Sequence, residues 1–225
     1  MCIWASAGGR GGRCGGAGGG RRRHPPPTRM PRRHIGDTAP MALTGMRDFA
    51  THRANVRDAP RDEGRLELIV RRPAVDERER LGEARLDPAA GLVGDGWLAR
   101  GSRSTPDGSA DPACQVTLIS TRVLAANEPD RERWPLAGDQ LYVDFDLAVE
   151  ALPPGRRIAI GSAVLEISDK PHTGCAKFSA RFGSDALRWI NSPDGRAHRM
   201  RGVNARVVAS GTIREGDPIR TLPER

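Results

Sequence analysis

A chain of 225 residues has room for one well-cored domain and little room for a second. Aromatic residues make up 4% of it, and 27 glycines and 18 prolines are spread along it, which disfavours a bundle of long helices and suits short strands joined by many turns. The formal net charge of +8 invites a nucleic-acid partner, but its distribution argues against one: residues 1–40 hold eight arginines and a single acid, Asp37, a net of +7, whereas the other 185 residues carry 28 basic and 27 acidic side chains, a net of +1.

Residues 1–45 are of low complexity, first Gly-rich and then Arg- and Pro-rich. Such a stretch cannot bury enough apolar surface to offset its ordering entropy, so a disordered N-terminal tail is expected. Three readings of it stand open. It is an RNA-binding arm of the Arg/Gly type, a transit peptide (Arg-rich and acid-poor, but lacking Ser and any amphipathic period), or the product of an upstream start, with Met41 or Met46 the true one. Lys170 and Lys177 are the only lysines, against 34 arginines. That bias, with abundant Ala, Gly and Pro, is typical of GC-rich coding sequence and favours the third reading. A native peptide spanning Arg33 to Met41 would overturn it.

Residues 46–62 form a lead-in. Met46 to Arg57 reads as a short helix with Met46, Phe49, Ala50 and Val56 toward one side, ended by Ala59-Pro60. Strand signals follow. Leu66, Leu68 and Val70 alternate with Glu67, Ile69 and Arg71, and Gln115 to Ile119 is a second strand. Thr121 to Asn127 reads as a helix before Pro129. Leu141, Val143, Phe145 and Leu147 share one face of a strand. Arg157–Ile160 and Ala163–Ile167 flank Gly161-Ser162, a hairpin turn. Ser184 to Ile190 reads as a helix with Ser184 as N-cap, and Ser192-Pro193-Asp194-Gly195 as a turn. The last strands are Val203–Val208 and Ile213–Arg220, the second broken at Gly216-Asp217-Pro218. About seven short strands at regular spacing, with few helices, predict a mainly β fold over residues 63–225, a closed or nearly closed barrel.

The four cysteines, Cys2, Cys14, Cys114 and Cys175, include no Cys-x-x-Cys pair and have no spaced His pair beside them. A disulfide framework and a structural zinc site are therefore disfavoured, and a reducing, cytoplasmic setting is expected. No apolar run approaches the ~18 residues that span a bilayer, and the apolar stretch of Met1 to Ala7 is too short for a secretory signal. There is no Gly-x-Ser-x-Gly elbow, no phosphate-binding Gly-x4-Gly-Lys-Ser/Thr loop and no His-Glu-x-x-His.

The densest chemistry lies between Asp169 and Gly183. Cys175 sits within six residues of Lys170, His172, Lys177 and Arg181. Positive neighbours favour a thiolate, which can attack, carry sulfur as a persulfide or bind a soft metal. Gly174 lets the backbone bend and another group approach the sulfur. The plain alternative is a buried cysteine packing as a small hydrophobe. Cys114, with no His or Lys nearby in sequence, reads as structural.

The string Pro171-His172-Thr173-Gly174-Cys175-Ala176-Lys177-Phe178, followed by Arg181-Phe182-Gly183 and Asp185-Ala186-Leu187, resembles the cysteine segment of MOSC domains. Gly91-Leu92-Val93-Gly94-Asp95 is similar to the family's Gly-x-x-Gly-Asp element. Arg201-Gly202-Val203-Asn204-Ala205-Arg206-Val207, with Gly211-Thr212-Ile213 and Gly216-Asp217, resembles its C-terminal ending. The likeness spans roughly residues 63–221. It implies a small barrel related to that of pyruvate kinase, with a few short helices. It also implies that Cys175 relays sulfur or coordinates the molybdenum of a pterin cofactor. In multidomain members the module follows a pyridoxal-phosphate desulfurase domain, for which this chain has no room, so no pyridoxal-phosphate site is expected here. A cysteine desulfurase as sulfur donor and a molybdoenzyme as acceptor are the implied partners, with no membrane partner.

The expected site is then Cys175 as nucleophile and molybdenum ligand, His172, Lys177 and Arg181 as tuners of its thiolate, and Gly174, Asp95, Asn204, Arg201 and Arg206 around the cofactor. Arg199, Arg201 and Arg206 suit a pterin phosphate, because a guanidinium grips phosphate bidentately. Asp95 equally suits backbone capping, and Trp97 and Trp189 suit core packing as well as a pocket wall. Two other functions are carried forward: a molybdenum-dependent reductase of N-hydroxylated compounds needing a separate electron donor, and a nucleic-acid-binding protein acting through its tail, whose binding would fall steeply with salt.

Overall fold

A computed structural model describes residues 49–223. The expected disordered tail, with Cys2 and Cys14, and the first residues of the expected lead-in helix lie outside them. Helix α1 (Phe49–Arg57) leads into strand β1 (Glu63–Arg71). Then come β2 (Glu79–Leu81), β3 (Glu83–Asp87), β4 (Gly91–Leu92), α2 (Trp97–Arg100), β5 (Val116–Ser120), α3 (Thr121–Asn127) and β6 (Leu141–Asp144). The second half holds β7 (Arg157–Ile160), β8 (Ala163–Ile167), α4 (Ala176–Phe182), α5 (Ser184–Ile190), α6 (Pro193–Ala197), β9 (Val203–Ala209), β10 (Gly211–Arg214) and β11 (Pro218–Thr221). Among the described residues no helix is long and apolar enough to cross a membrane.

The strands order as β11-β7-β8-β9-β5-β6-β1, and β1 pairs back onto β11 with Glu63 opposite Arg220. The sheet is thus a closed barrel of seven strands, with β2 appended to β1 and a separate small sheet β10-β3-β4. Every barrel pairing is antiparallel except β5 with β6, where Leu118 lies opposite Leu141. A parallel pair needs a crossover. Here α3 and the 3-10 segment Arg131–Ala137 provide it.

Inward residues of every barrel strand fill the interior, among them Leu66, Leu118, Val143, Ile158, Leu165, Val207 and Ile219. A second apolar layer lies on the outer wall, where Leu68, Val70, Ile119 and Tyr142 meet Val123, Leu124, Phe178, Phe182, Trp189 and Ile190 of the helices. Side-chain alternation along β9 sends Val203, Ala205 and Val207 inward and leaves Asn204 and Arg206 on the outer face.

Several local readings change. The expected alternation of Leu66, Leu68 and Val70 breaks at a β-bulge between Leu66 and Leu68. The extra residue shifts the period, so Ile69 joins Leu66 in the barrel and Leu68 and Val70 turn outward under the helices. The expected turn at 192–195 is a short helix, capped by Ser192 Oγ accepting from Gly195 N–H at 3.0 Å. Gly183, not Ser184, occupies the N-cap of α5, at φ +93°, because the chain reverses sharply after α4. The faces of 141–147, the 157–167 hairpin and the helix at 121–127 are as the sequence indicates.

Candidate functional site

The chain leaves β8 at Ile167 and runs as a loop to Cys175, the N-cap residue of α4. Hydrogen bonds fasten this loop at both ends. Ser168 N–H donates to Asn204 O at 2.9 Å, and Asn204 Nδ2 donates to Lys170 O at 3.1 Å. At the far end Gly174 N–H donates to Asn191 Oδ1 at 3.0 Å, and Asn191 Nδ2 returns to Gly174 O at 3.3 Å. A Cβ on Gly174 would come within 2.7 Å of Leu187 and Ile190 side-chain carbons. The missing side chain lets the loop dock closely on α5 without displacing those terminal methyls.

Between this loop, α5, α6 and residues 199–204 lies a cavity of about 510 Å³. Its wall carries Lys170, Arg196, Arg199 and Arg201 against one acid, Asp169, with Ser168, His172, Thr173, Asn191 and Asn204 as neutral polar groups; Lys170 and Arg201 are ion-paired outside the cavity lining, to Asp111 and Asp139. Cationic side chains in so small a space favour an anionic guest. Arg199 adopts a left-handed backbone at φ +43° and donates Nη1 to Leu152 O. Burial holds its guanidinium below the usual arginine range. Arg201 is buried, donates Nη1 to Asp139 Oδ2 at 2.7 Å and Nη2 to Ala137 O at 3.0 Å, and lies over the Phe178 ring.

His172 is largely buried, with Nδ1 facing Asp139 Oδ1 at 3.6 Å. Burial, then the nearby Arg201 guanidinium, pushes its pKa down to about 4. At neutral pH it is an uncharged imidazole and brings no positive charge to the sulfur. Of the other basic residues near Cys175 in sequence, Arg181 and Lys170 have partners away from the sulfur. Arg181 donates to Leu136 O and Asp76, both at 2.9 Å, and Lys177 is exposed on α4. Lys170 Nζ pairs with Asp111 and donates to Ser104 Oγ at 2.7 Å. Cys175 itself is exposed, two residues beyond the cavity-lining Thr173. Cys114 is half-buried, and burial, with Asp111 beside it, pushes its thiol pKa up.

Of the residues expected around a cofactor, Asn204 and Arg201 line the cavity and Gly174 adjoins its wall. Arg206 is on the outer face of β9, paired with Glu166 of β8. Asp95 is buried between β1 and α2. It accepts from Arg72 Nε and Nη2 at 2.9 Å and from the backbone N–H of Trp97 at 3.0 Å. Trp97 and Trp189 are buried, and Trp97 Nε1 donates to Asp111 O at 3.3 Å. Reading the sequence missed Arg196 as a named residue and missed Asp139 altogether. Gly138-Asp139-Gln140 carries a turn signal only, and its meeting with His172 and Arg201 is purely tertiary.

Comparison with known proteins returns the family model described as the MOSC domain, matching residues 109–220. Among solved structures, the chain is similar to the YuaD protein of Bacillus subtilis at 15% identity, covering 72% of this chain and 97% of that one with a TM-score of 0.49. It is also similar to YiiM of Escherichia coli at 20% identity, covering 72% and 71% with a TM-score of 0.47. For YiiM of Geobacillus stearothermophilus the values are 13%, 71% and 75%, with a TM-score of 0.48. No curated protein matches the sequence.

Proposed function

Because this chain carries a MOSC domain, a module associated with the molybdenum cofactor, we propose that its cavity receives the phosphate-bearing pterin of that cofactor and that Cys175 carries sulfur to the metal or coordinates it. One observation carries the reading: Arg196, Arg199 and Arg201 line a single cavity whose wall runs on, through Thr173 and Gly174, to an exposed cysteine.

The residues suit such a group. Guanidinium groups match phosphate oxygens bidentately, and the buried Arg201 Nε has no partner within the protein. Asn191 and Asn204 supply amide groups on the same wall. A thiolate is a soft ligand suited to a transition metal. When bound, the cofactor would supply the sulfur-accepting or redox-active metal. The chain's own part is then to bind and orient. Arg196, Arg199 and Arg201 hold the phosphate, and the bonds between Gly174 and Asn191 fix the approach of the loop that ends in Cys175.

In the sulfur-carrying version, the Cys175 thiolate attacks the terminal sulfur of a donor persulfide. A new S–S bond forms on Cys175, the donor's S–S bond breaks, and its electron pair leaves with the donor thiolate. A cysteine desulfurase would supply that persulfide and a molybdoenzyme would receive the product.

The test is metal analysis and cofactor extraction on protein purified from its own host, with persulfide labelling, for the wild type and two variants. Cys175→Ala is expected to lose persulfide labelling or molybdenum cofactor, and Cys114→Ala to keep both. Equal retention in the two variants would sink the reading.

A further inference from the structure

Asp139 lies behind the cavity wall, just ahead of β6, and is fully buried. Its Oδ2 accepts from Arg201 Nη1 at 2.7 Å, and its Oδ1 faces His172 Nδ1 at 3.6 Å. Neither Asp139 Oδ1 nor His172 Nδ1 has any other partner, and both are sealed from solvent. His172 and Arg201 both line the cavity but come from separate segments, the loop after β8 and the residues before β9. One carboxylate therefore spans the back of two wall groups.

The pairing dictates a proton position. A neutral imidazole has one N–H and one lone pair. A lone pair on Nδ1 facing a carboxylate lone pair would be repulsive at this separation in a buried site, whereas an N–H there is attracted to it. With the proton on Nδ1, the lone pair is left on Nε2, the nitrogen on the other side of the ring from Asp139. We infer that Asp139 is a positioning residue for the cavity: it fixes His172 in the Nδ1–H form and so leaves Nε2 as a hydrogen-bond acceptor in a wall that Arg201 shares.

A guest that satisfies this wall carries an anionic group for the arginines and a donor N–H, O–H or S–H for His172. That consequence rests on the cavity being a ligand site, as proposed above. The assignment of Asp139 does not, since the tautomer is a property of the protein without ligand.

The experiment is long-range proton–nitrogen correlation of the histidine rings in the isotope-labelled full chain at neutral pH, with His172 assigned by its loss in His172→Gln. The expected pattern is a protonated Nδ1 and an unprotonated Nε2. In Asp139→Asn the amide oxygen goes to Arg201 and the amide N–H turns to His172, so the two ring nitrogens exchange roles. An Nε2–H pattern in the wild type, or an unchanged pattern in a folded Asp139→Asn, overturns the inference. The wild-type spectrum decides the matter alone if the variant does not fold. The expected pattern in a protein that retains no molybdenum cofactor would sink the cofactor reading and leave Asp139 in its role.

Discussion

An imidazole that titrates near pH 4 in the folded chain, against 6.5 for a free histidine, makes the protein's stability depend on pH. Above pH 6.5 His172 is neutral in both states and contributes nothing. As pH falls toward 4 the unfolded chain takes up a proton that the folded chain refuses, so folding loses stability. The full shift corresponds to about 3 kcal/mol. Urea unfolding is expected to show the wild type losing more stability than His172→Gln across that window, and equal losses would refute the assignment. Asp139 makes the opposite kind of contribution. Replacing it with Ala leaves the buried Arg201 without its anion, a loss of about 3–5 kcal/mol in chemical denaturation. The equivalent change at the exposed Glu63–Arg220 pair is expected to cost less than about 1 kcal/mol.

Short helices and tight corners decide where the wall groups stand. Helix α6 carries Arg196 to the cavity, and it begins on the Ser192 cap. Ser192→Ala should cost about 1 kcal/mol and weaken binding of inorganic phosphate by loosening Arg196. Phosphate binding unchanged from wild type would separate the cap from the cavity. From its other side α6 is anchored by Asp194, which pairs with Arg53 at 3.1 Å and Arg57 at 2.6 Å on α1. The lead-in helix thus braces the basic wall. Gly202 lies between Arg201 and β9 at φ +103°, where a Cβ would come within 2.1 Å of Leu118 O. Gly202→Ala is expected to destabilise the fold by more than about 1 kcal/mol, since both backbone angle and space forbid it. Differential scanning calorimetry checks this, and a melting temperature at or above wild type would contradict it.

Across the whole molecule, stability resides in a closed ring of strands filled by an apolar core, while the candidate site sits outside that core, against the helices. Truncating an interior side chain such as Leu165→Ala should cost about 2–5 kcal/mol, the cost of an unfilled cavity. Because β1 closes on β11, the first and last strands are expected to exchange amide hydrogens as slowly as β5 and β6 in native-state exchange. Early exchange of β11 alone would show that the ring opens there.

The sequence by itself determined the barrel class, the hairpin at Gly161-Ser162 and the inward face of 141–147. These are local matters: a period of two and a turn residue. It resolved the site only in part. Lys170, Lys177 and Arg181 are near Cys175 along the chain, yet Lys170, in the loop before α4, is bonded to Asp111, and on α4 Arg181 is bonded to Leu136 and Asp76 while Lys177 stands exposed, because a helix fans successive side chains in different directions. The bulge in β1 likewise hides in a pattern that reads as clean alternation. Only the tertiary structure set Asp139 against His172 and Arg201, separated by tens of residues in sequence. The strands and loop that meet there come together through barrel closure and the β5–β6 crossover, which no local pattern encodes.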